Sequence, residues 1–195
     1  MSSSLLLIFV KNPELGKVKT RLAATLGDER ALHVYRQLLE RTRAVTQPLN
    51  VDKTVYYTPA VQHDDEWDPA YYQKALQTDG DLGERMAQAF AAGFAQGYER
   101  VCIIGSDCYQ LTTDILRQAF DALATHDLVI GSSTDGGYYL LGTRQLHPEL
   151  FQGKHWSTAS VSKDTIATAE QQHLRWYELP TLTDIDEEAD LKTMR

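Results

Sequence analysis

The sequence predicts a three-layer α/β/α fold around a mostly parallel mixed sheet, and three observations predict it. Short runs of leucine and β-branched residues alternate with segments whose apolar residues recur at helical spacing, as expected of strands joined by crossover helices. A length of 195 residues with 43% hydrophobic content suits one domain, residues 1–195, that buries its own core. Polar segments containing glycine follow directly on several apolar runs, which is where open α/β sheets bind their ligands.

Leu5 to Val10 is a continuous apolar run and reads as the first strand, followed by a polar loop. From Glu29 to Thr46, Ala31, Leu32, Tyr35, Leu38, Leu39, Thr42 and Val45 fall at helical spacing, with charged residues opposite. Lys53 to Thr58 is a strand that Pro59 ends, and His63 to Tyr72 reads as an acidic, aromatic loop with a short helix. Leu82, Met86, Phe90 and Phe94 form one helical stripe, which Gly97 closes. Val101 to Ile104 is a buried strand, and Thr112 or Thr113 caps a helix carrying Ile115, Leu116, Ala119, Phe120 and Leu123. Leu128 to Ile130 completes a βαβ unit, and Tyr138 to Leu141 is a further strand after the Asp135-Gly136-Gly137 turn. Ser160 to Gln171 is helical, Leu174 to Leu179 extended, and Glu187 to Met194 helical.

Composition excludes some functions. The formal net charge of -8 argues against general nucleic-acid binding, because a phosphate-backbone footprint needs a net basic face. The apolar run at the start is too short for a membrane span and lacks the basic flank of a signal peptide. Cys102 and Cys108 lack zinc-finger spacing, and without a secretion signal they read as reduced thiols, which gives a cytoplasmic expectation.

Three constellations carry chemistry. The loop from Lys11 to Arg21 holds four cations, Lys11, Lys17, Lys19 and Arg21, together with Gly16 and Thr20, directly after the first strand. Lysine and arginine supply charge and directed donors for a phosphate, and backbone N–H groups near a helix start can add to them. A Walker loop is rejected, since Lys11 stands where its first glycine belongs and Val18 follows Lys17. A merely solvated basic loop is the alternative, and the position after a strand favours phosphate. Next, Val101 to Ile104 runs into Gly105-Ser106-Asp107, which offers close backbone approach and a hard oxygen ligand for Mg²⁺ or Mn²⁺. A second carboxylate has to converge on Asp107. Asp135, Asp184 and Asp186 are the candidates, against the alternative that Asp135 only makes a turn and that Asp184 or Asp186 caps the last helix. Finally, Asp79 to Met86 is a glycine-containing turn opening a helix with Arg85.

These segments together resemble a bacterial family of GT-A-like glycosyltransferases and selenodomain-associated transferases in the nucleotide-diphospho-sugar transferase superfamily. The resemblance spans nearly the whole chain. It rests on Lys11, Pro13, Gly16 and Val18 to Leu22; on Gly80 to Gly83 with Arg85-Met86; on Gly105 to Cys108; on Asp135 to Gly142; on Trp156-Ser157-Thr158; and on Asp184-Ile185-Asp186. It implies a GT-A fold in which Lys11, Gly16, Lys19, Thr20 and Arg21, with Gly83, Arg85 and Ser106, surround a nucleotide. Asp107 and Asp186 would then ligate Mg²⁺ or Mn²⁺, and Asp135 would lie towards an unassigned small-molecule acceptor. Lys19, Arg21, Asp107 and Asp135 are the implied catalytic set. The expected activity is a metal-dependent transferase using a nucleotide or nucleotide-diphospho-sugar donor. A nucleotidyltransferase that releases pyrophosphate is the first alternative. Two departures from the family pattern, Tyr109-Gln110 and Ser132-Ser133, motivate a second, a nucleotide-binding protein without turnover. The sequence assigns neither donor base, acceptor nor oligomeric state.

Overall fold

The computed structural model describes residues 3–194. Seven strands form one sheet in the order β3-β2-β1-β4-β6-β5-β7. They are β1 (Ser4–Lys11), β2 (Asp52–Thr58), β3 (Gln73–Leu76), β4 (Arg100–Ile104), β5 (Leu128–Ser132), β6 (Tyr138–Thr143) and β7 (Trp176–Glu178). Only β6 runs against its neighbours, β4 and β5, so the sheet is mixed and mostly parallel as predicted. The expected βαβ unit forms with β4 and β5 parallel, but β6 lies between them.

Alternation along β1 explains the layers. Leu6, Ile8 and Val10 face a core shared with Tyr35 and Leu39 of α2 (Asp28–Thr46) and with Leu116 and Phe120 of α4 (Thr113–Ala122). Leu5 and Leu7 face the opposite core, packed on Met86 and Phe90 of α3 (Leu82–Ala95) and Ala169 of α5 (Val161–Gln171). A strand buried on both faces needs no polar side chain, which is why β1 reads as an unbroken apolar run. Caps set the helix starts: Thr112 accepts from Ile115 N–H at α4, and Asp81 with Glu84 forms a capping box at α3.

Several local expectations need correction. Residues 61–72 form bends and turns with no helix; Trp67 and Tyr72 meet edge-on at 4.9 Å and are buried in the core, so the loop is anchored by aromatics instead. The 187–194 segment is a 3₁₀ helix over Glu188–Thr193, not an α-helix. Three elements escaped prediction, among them the short 3₁₀ helix Pro148–Leu150. The helix α1 (Thr20–Leu26) spans seven residues and buries only Leu22, too little to give a periodic signal. The strand β3 pairs on one side only, with β2, and its Gln-Lys-Ala-Leu sequence lacks β-branched residues.

Candidate active site

A cavity of about 580 Å³ opens at the carboxyl ends of β1 and β4, the usual ligand crevice of such sheets. Because β6 is antiparallel, its start lies at this same edge, and the 135–138 turn completes the wall.

At the end of β1, the Tyr35 hydroxyl from α2 accepts from Lys11 N–H and donates to Lys11 C=O, both at 2.9 Å. It also lies 3.4 Å from the Ser106 hydroxyl, tying the ends of β1 and β4 together. Burial pushes the Tyr35 phenol up to about 12, so this clamp stays uncharged. The chain then loops to Lys19, whose backbone takes the left-handed conformation at φ 48 as α1 begins. Such a conformation is costly for a side-chain-bearing residue and persists where its surroundings fix it. Here it launches the lysine inward. The Lys19 side chain is 5% exposed, and its Nζ lies 2.7 Å from Asp107 Oδ1 and 3.2 Å from Asp186 Oδ1. Burial alone would lower the ammonium, but the charges of Asp107 and Asp186 and their hydrogen bonds outweigh it, so Lys19 is held above its ordinary value and stays charged.

The two carboxylates come from distant parts of the chain. Asp107 stands just past the end of β4. Asp186 lies beside Ile185, which is fully buried among Leu22, Ala31, Val34 and Leu38. Burying the central residue of Asp184-Ile185-Asp186 sends its two neighbours the other way, and both line the cavity. Ile185 N–H donates to Asp107 C=O at 2.9 Å, which locks the two segments together. The capping alternative fails, because Glu187 is the N-cap of the last helix and Asp190 completes its capping box. Asp186 Oδ2 lies instead 3.6 Å from Arg21, which is 65% exposed.

The structure brings most of the predicted residues together. Lys11, Lys19, Thr20, Arg21, Arg85, Ser106, Asp107, Asp135 and Asp186 all line the cavity. Arg85 is aimed by donating to Gln77 Oε1 at 3.0 Å and to Asp81 C=O at 3.2 Å. Asp135 does make a turn, accepting from Gly137 N–H at 2.9 Å and from the Ser133 hydroxyl, while still facing the cavity. Two expected nucleotide contacts do not reach the wall. Gly16 adopts φ +73 in the loop, where a side chain would be strained. Gly83 lies under Trp156, and a β-carbon there would stand 2.6 Å from the Phe151 carbonyl and from Trp156 Cε2, so this glycine lets the Trp156 loop settle on α3.

Tyr35, Trp156 and Asp184 also line the cavity, although the sequence singles out none of them as a binding residue. Tyr35 sits on the apolar stripe of α2, whose spacing predicts a core position. Asp184 is pushed up to about 7 by burial and by the charges of Asp107, Asp135 and Asp186, with Lys19 opposing. The departures from the family pattern also acquire roles. Tyr109 lies under the Arg41 guanidinium, 5.4 Å from its ring centre, and Gln110 Oε1 accepts from Thr183 N–H at 2.9 Å, fastening the segment that carries Asp186. Ser132 reaches Ser162 of α5 at 2.7 Å, and Ser133 holds Asp135. Cys108 lines the cavity, but burial pushes its thiol up to about 12, leaving it protonated.

Among the described residues, no three or more His, Cys, Asp or Glu side chains are grouped to hold a metal ion. Two carboxylate oxygens do converge on one cationic point, now held by Lys19 Nζ. That donor set fits Mg²⁺ or Mn²⁺, which bind through one or two carboxylates and take their remaining oxygens from substrate phosphates and water. No helix of the described residues is long and apolar enough to cross a membrane.

Residues 39–158 match the family described as an uncharacterized protein conserved in bacteria (DUF2064). No curated protein matches the chain. Among solved structures, a protein of Desulfovibrio desulfuricans assigned by name to the nucleotide-diphospho-sugar transferases is 35% identical, with a TM-score of 0.90 over 100% of this chain and 87% of its own. The 4-diphosphocytidyl-2C-methyl-D-erythritol synthase of Anaerococcus prevotii is 10% identical, with a TM-score of 0.61 over 99% of this chain and 94% of its own. Rv0371c of Mycobacterium tuberculosis in complex with manganese is 12% identical, with a TM-score of 0.53 over 98% and 96%. The chain therefore belongs to the DUF2064 family and is a nucleotide-diphospho-sugar transferase-like protein with the GT-A fold.

Proposed function

We propose that this protein is a divalent-metal-dependent transferase whose donor is a nucleotide or nucleotide-diphospho-sugar. The observation that carries this reading is the convergence of Asp107 and Asp186 on one point, the Lys19 ammonium, with Arg21 beside it in the crevice. Asp107 and Asp186 would hold Mg²⁺ or Mn²⁺, which when bound supplies Lewis-acid neutralisation of a diphosphate. Lys19, Arg21 and Lys11 add fixed positive charge where a leaving diphosphate develops negative charge. Arg85, Thr20 and Ser106 offer further donors along the wall. Asp135, which lines the cavity on the β6 side, would lie towards a small-molecule acceptor. The manganese of the M. tuberculosis neighbour and the diphosphocytidyl product named for the A. prevotii neighbour agree with this reading. The two free, buried cysteines suit a reducing, cytoplasmic setting.

The test is a thermal-shift and calorimetric screen of nucleotides and nucleotide sugars, with and without Mg²⁺ or Mn²⁺, since a ligand of the folded state raises apparent stability by mass action. A hit that depends on metal and is lost in Asp107→Asn is the expected result; no hit, or hits indifferent to Asp107→Asn, would refute the reading. Pyrophosphate release on adding acceptors would identify nucleotidyl rather than glycosyl transfer. Retention of the nucleotide with no product would mark a binding protein without turnover.

A further inference from the structure

We infer that Lys19 keeps a free divalent cation out of the site, so that metal enters only together with a nucleotide diphosphate. This inference rests on Asp107 and Asp186 being the metal-binding carboxylates. Lys19 Nζ already stands between them, 2.7 Å and 3.2 Å from their Oδ1 atoms, with its side chain 5% exposed. A metal ion seeking those oxygens must displace an ammonium that is largely buried at the cavity wall, and it brings no anion to replace the partners it takes. Leaving a buried charge unpaired is among the costliest changes a protein interior can suffer.

A diphosphate removes that obstacle. Its oxygens offer the displaced ammonium a new partner and complete the coordination of the ion at the same time. Retreat of Lys19 in another direction is restricted, because its backbone is fixed at φ 48 at the head of α1 and its stem is enclosed. Arg21 makes the contrast: at 3.6 Å from Asp186 and 65% exposed, it can swing into solvent and blocks nothing. Metal and nucleotide are therefore positively coupled through one side chain, and linkage requires each to raise the affinity of the other by the same factor.

Calorimetric titration of the intact protein with MnCl₂ alone, and again with CDP, GDP or UDP present, tests this. Lys19→Met, or Lys19→Gln if melting shows the first variant unfolded, should bind Mn²⁺ alone about tenfold or more tighter than the wild type, within the usual range of couplings between sites. The same variant should lose most of the mutual enhancement between Mn²⁺ and the diphosphate. Equal affinity of wild type and variant for Mn²⁺ alone would overturn the inference and leave the metal reading standing. Failure of Mn²⁺ to bind either protein, with or without any of the three nucleotides, would overturn both. Should neither variant fold, the wild type decides: low-micromolar binding of Mn²⁺ alone refutes the inference, and binding seen only with a diphosphate supports it.

Discussion

Asp107 and Asp186 grip the same ammonium, yet the molecule positions them by different means. Asp107 follows a strand hydrogen-bonded on both sides, by β1 and by β6, so the sheet itself fixes its place. Asp186 belongs to no strand. Upstream, Leu182 pairs with Ser132 and Thr134; nearer the site, the Asp186 segment rests on one buried side chain, Ile185, one backbone hydrogen bond to Asp107 C=O and the Gln110 link to Thr183. The first arrangement spreads its positioning over many bonds, so no single residue is decisive. The second concentrates it, and single substitutions there should disturb the site as much as they disturb stability.

Four substitutions probe that difference, from the largest expected effect to the smallest. Ile185→Ala opens a cavity at a fully buried position, which should cost about 2–5 kcal/mol in urea denaturation; metal-nucleotide binding should fall with it, because Asp184 and Asp186 lose their common anchor. Gln110→Ala leaves the core intact and removes one hydrogen bond to Thr183 N–H, a loss of about 1 kcal/mol, again with weakened nucleotide binding in calorimetry. Ile8→Val, fully buried in β1 and paired with Ile104 of β4 but outside the cavity wall, should cost about 0.5–1.5 kcal/mol and leave nucleotide affinity unchanged. If Ile8→Val impaired binding as strongly as Gln110→Ala, the contrast between strand and tail would not hold. Asp127→Asn is the control far from the site.

The sign of that control follows from its pairing. Hydrogen bonds from the Arg175 side chain and backbone, and the charge of Arg175, hold the Asp127 carboxyl below its ordinary value despite some burial. A lowered folded-state value gives stability that is present above the unfolded value and lost as pH falls through the folded one. The pair is partly exposed, 31% and 64%, so Asp127→Asn should cost no more than about 1 kcal/mol near neutrality. The difference from wild type should shrink in acid melts below the ordinary carboxylate range.

The same contrast explains what the sequence could tell. Periodicity exposed β1, α2, α3, β4 and α4, because each places a full apolar stripe or run in a core. The Lys11–Arg21 loop and Asp107 were legible because they follow strands directly. Asp135, Asp184 and Asp186 are all candidates from the residues, and resemblance alone singles out Asp186, since nothing local says that Ile185 is the buried residue between Asp184 and Asp186. Its partners, Leu22, Ala31, Val34 and Leu38, lie more than a hundred residues earlier in the chain. Tyr35 illustrates the opposite error: its spacing identifies a core helix face correctly, and the same spacing conceals a hydroxyl that clamps the ends of β1 and β4.

The glycine beneath Trp156 has a practical consequence. Because Gly83 lets that indole rest on α3 while lining the cavity, a nucleobase or sugar entering beside it changes the polarity around the ring. Of the chain's three tryptophans, Trp67 is buried in the core and Trp176 sits on β7, away from the cavity wall. Intrinsic fluorescence should therefore report occupancy without a label, with Trp67 and Trp176 as steady background and Trp156→Phe as the silent reference.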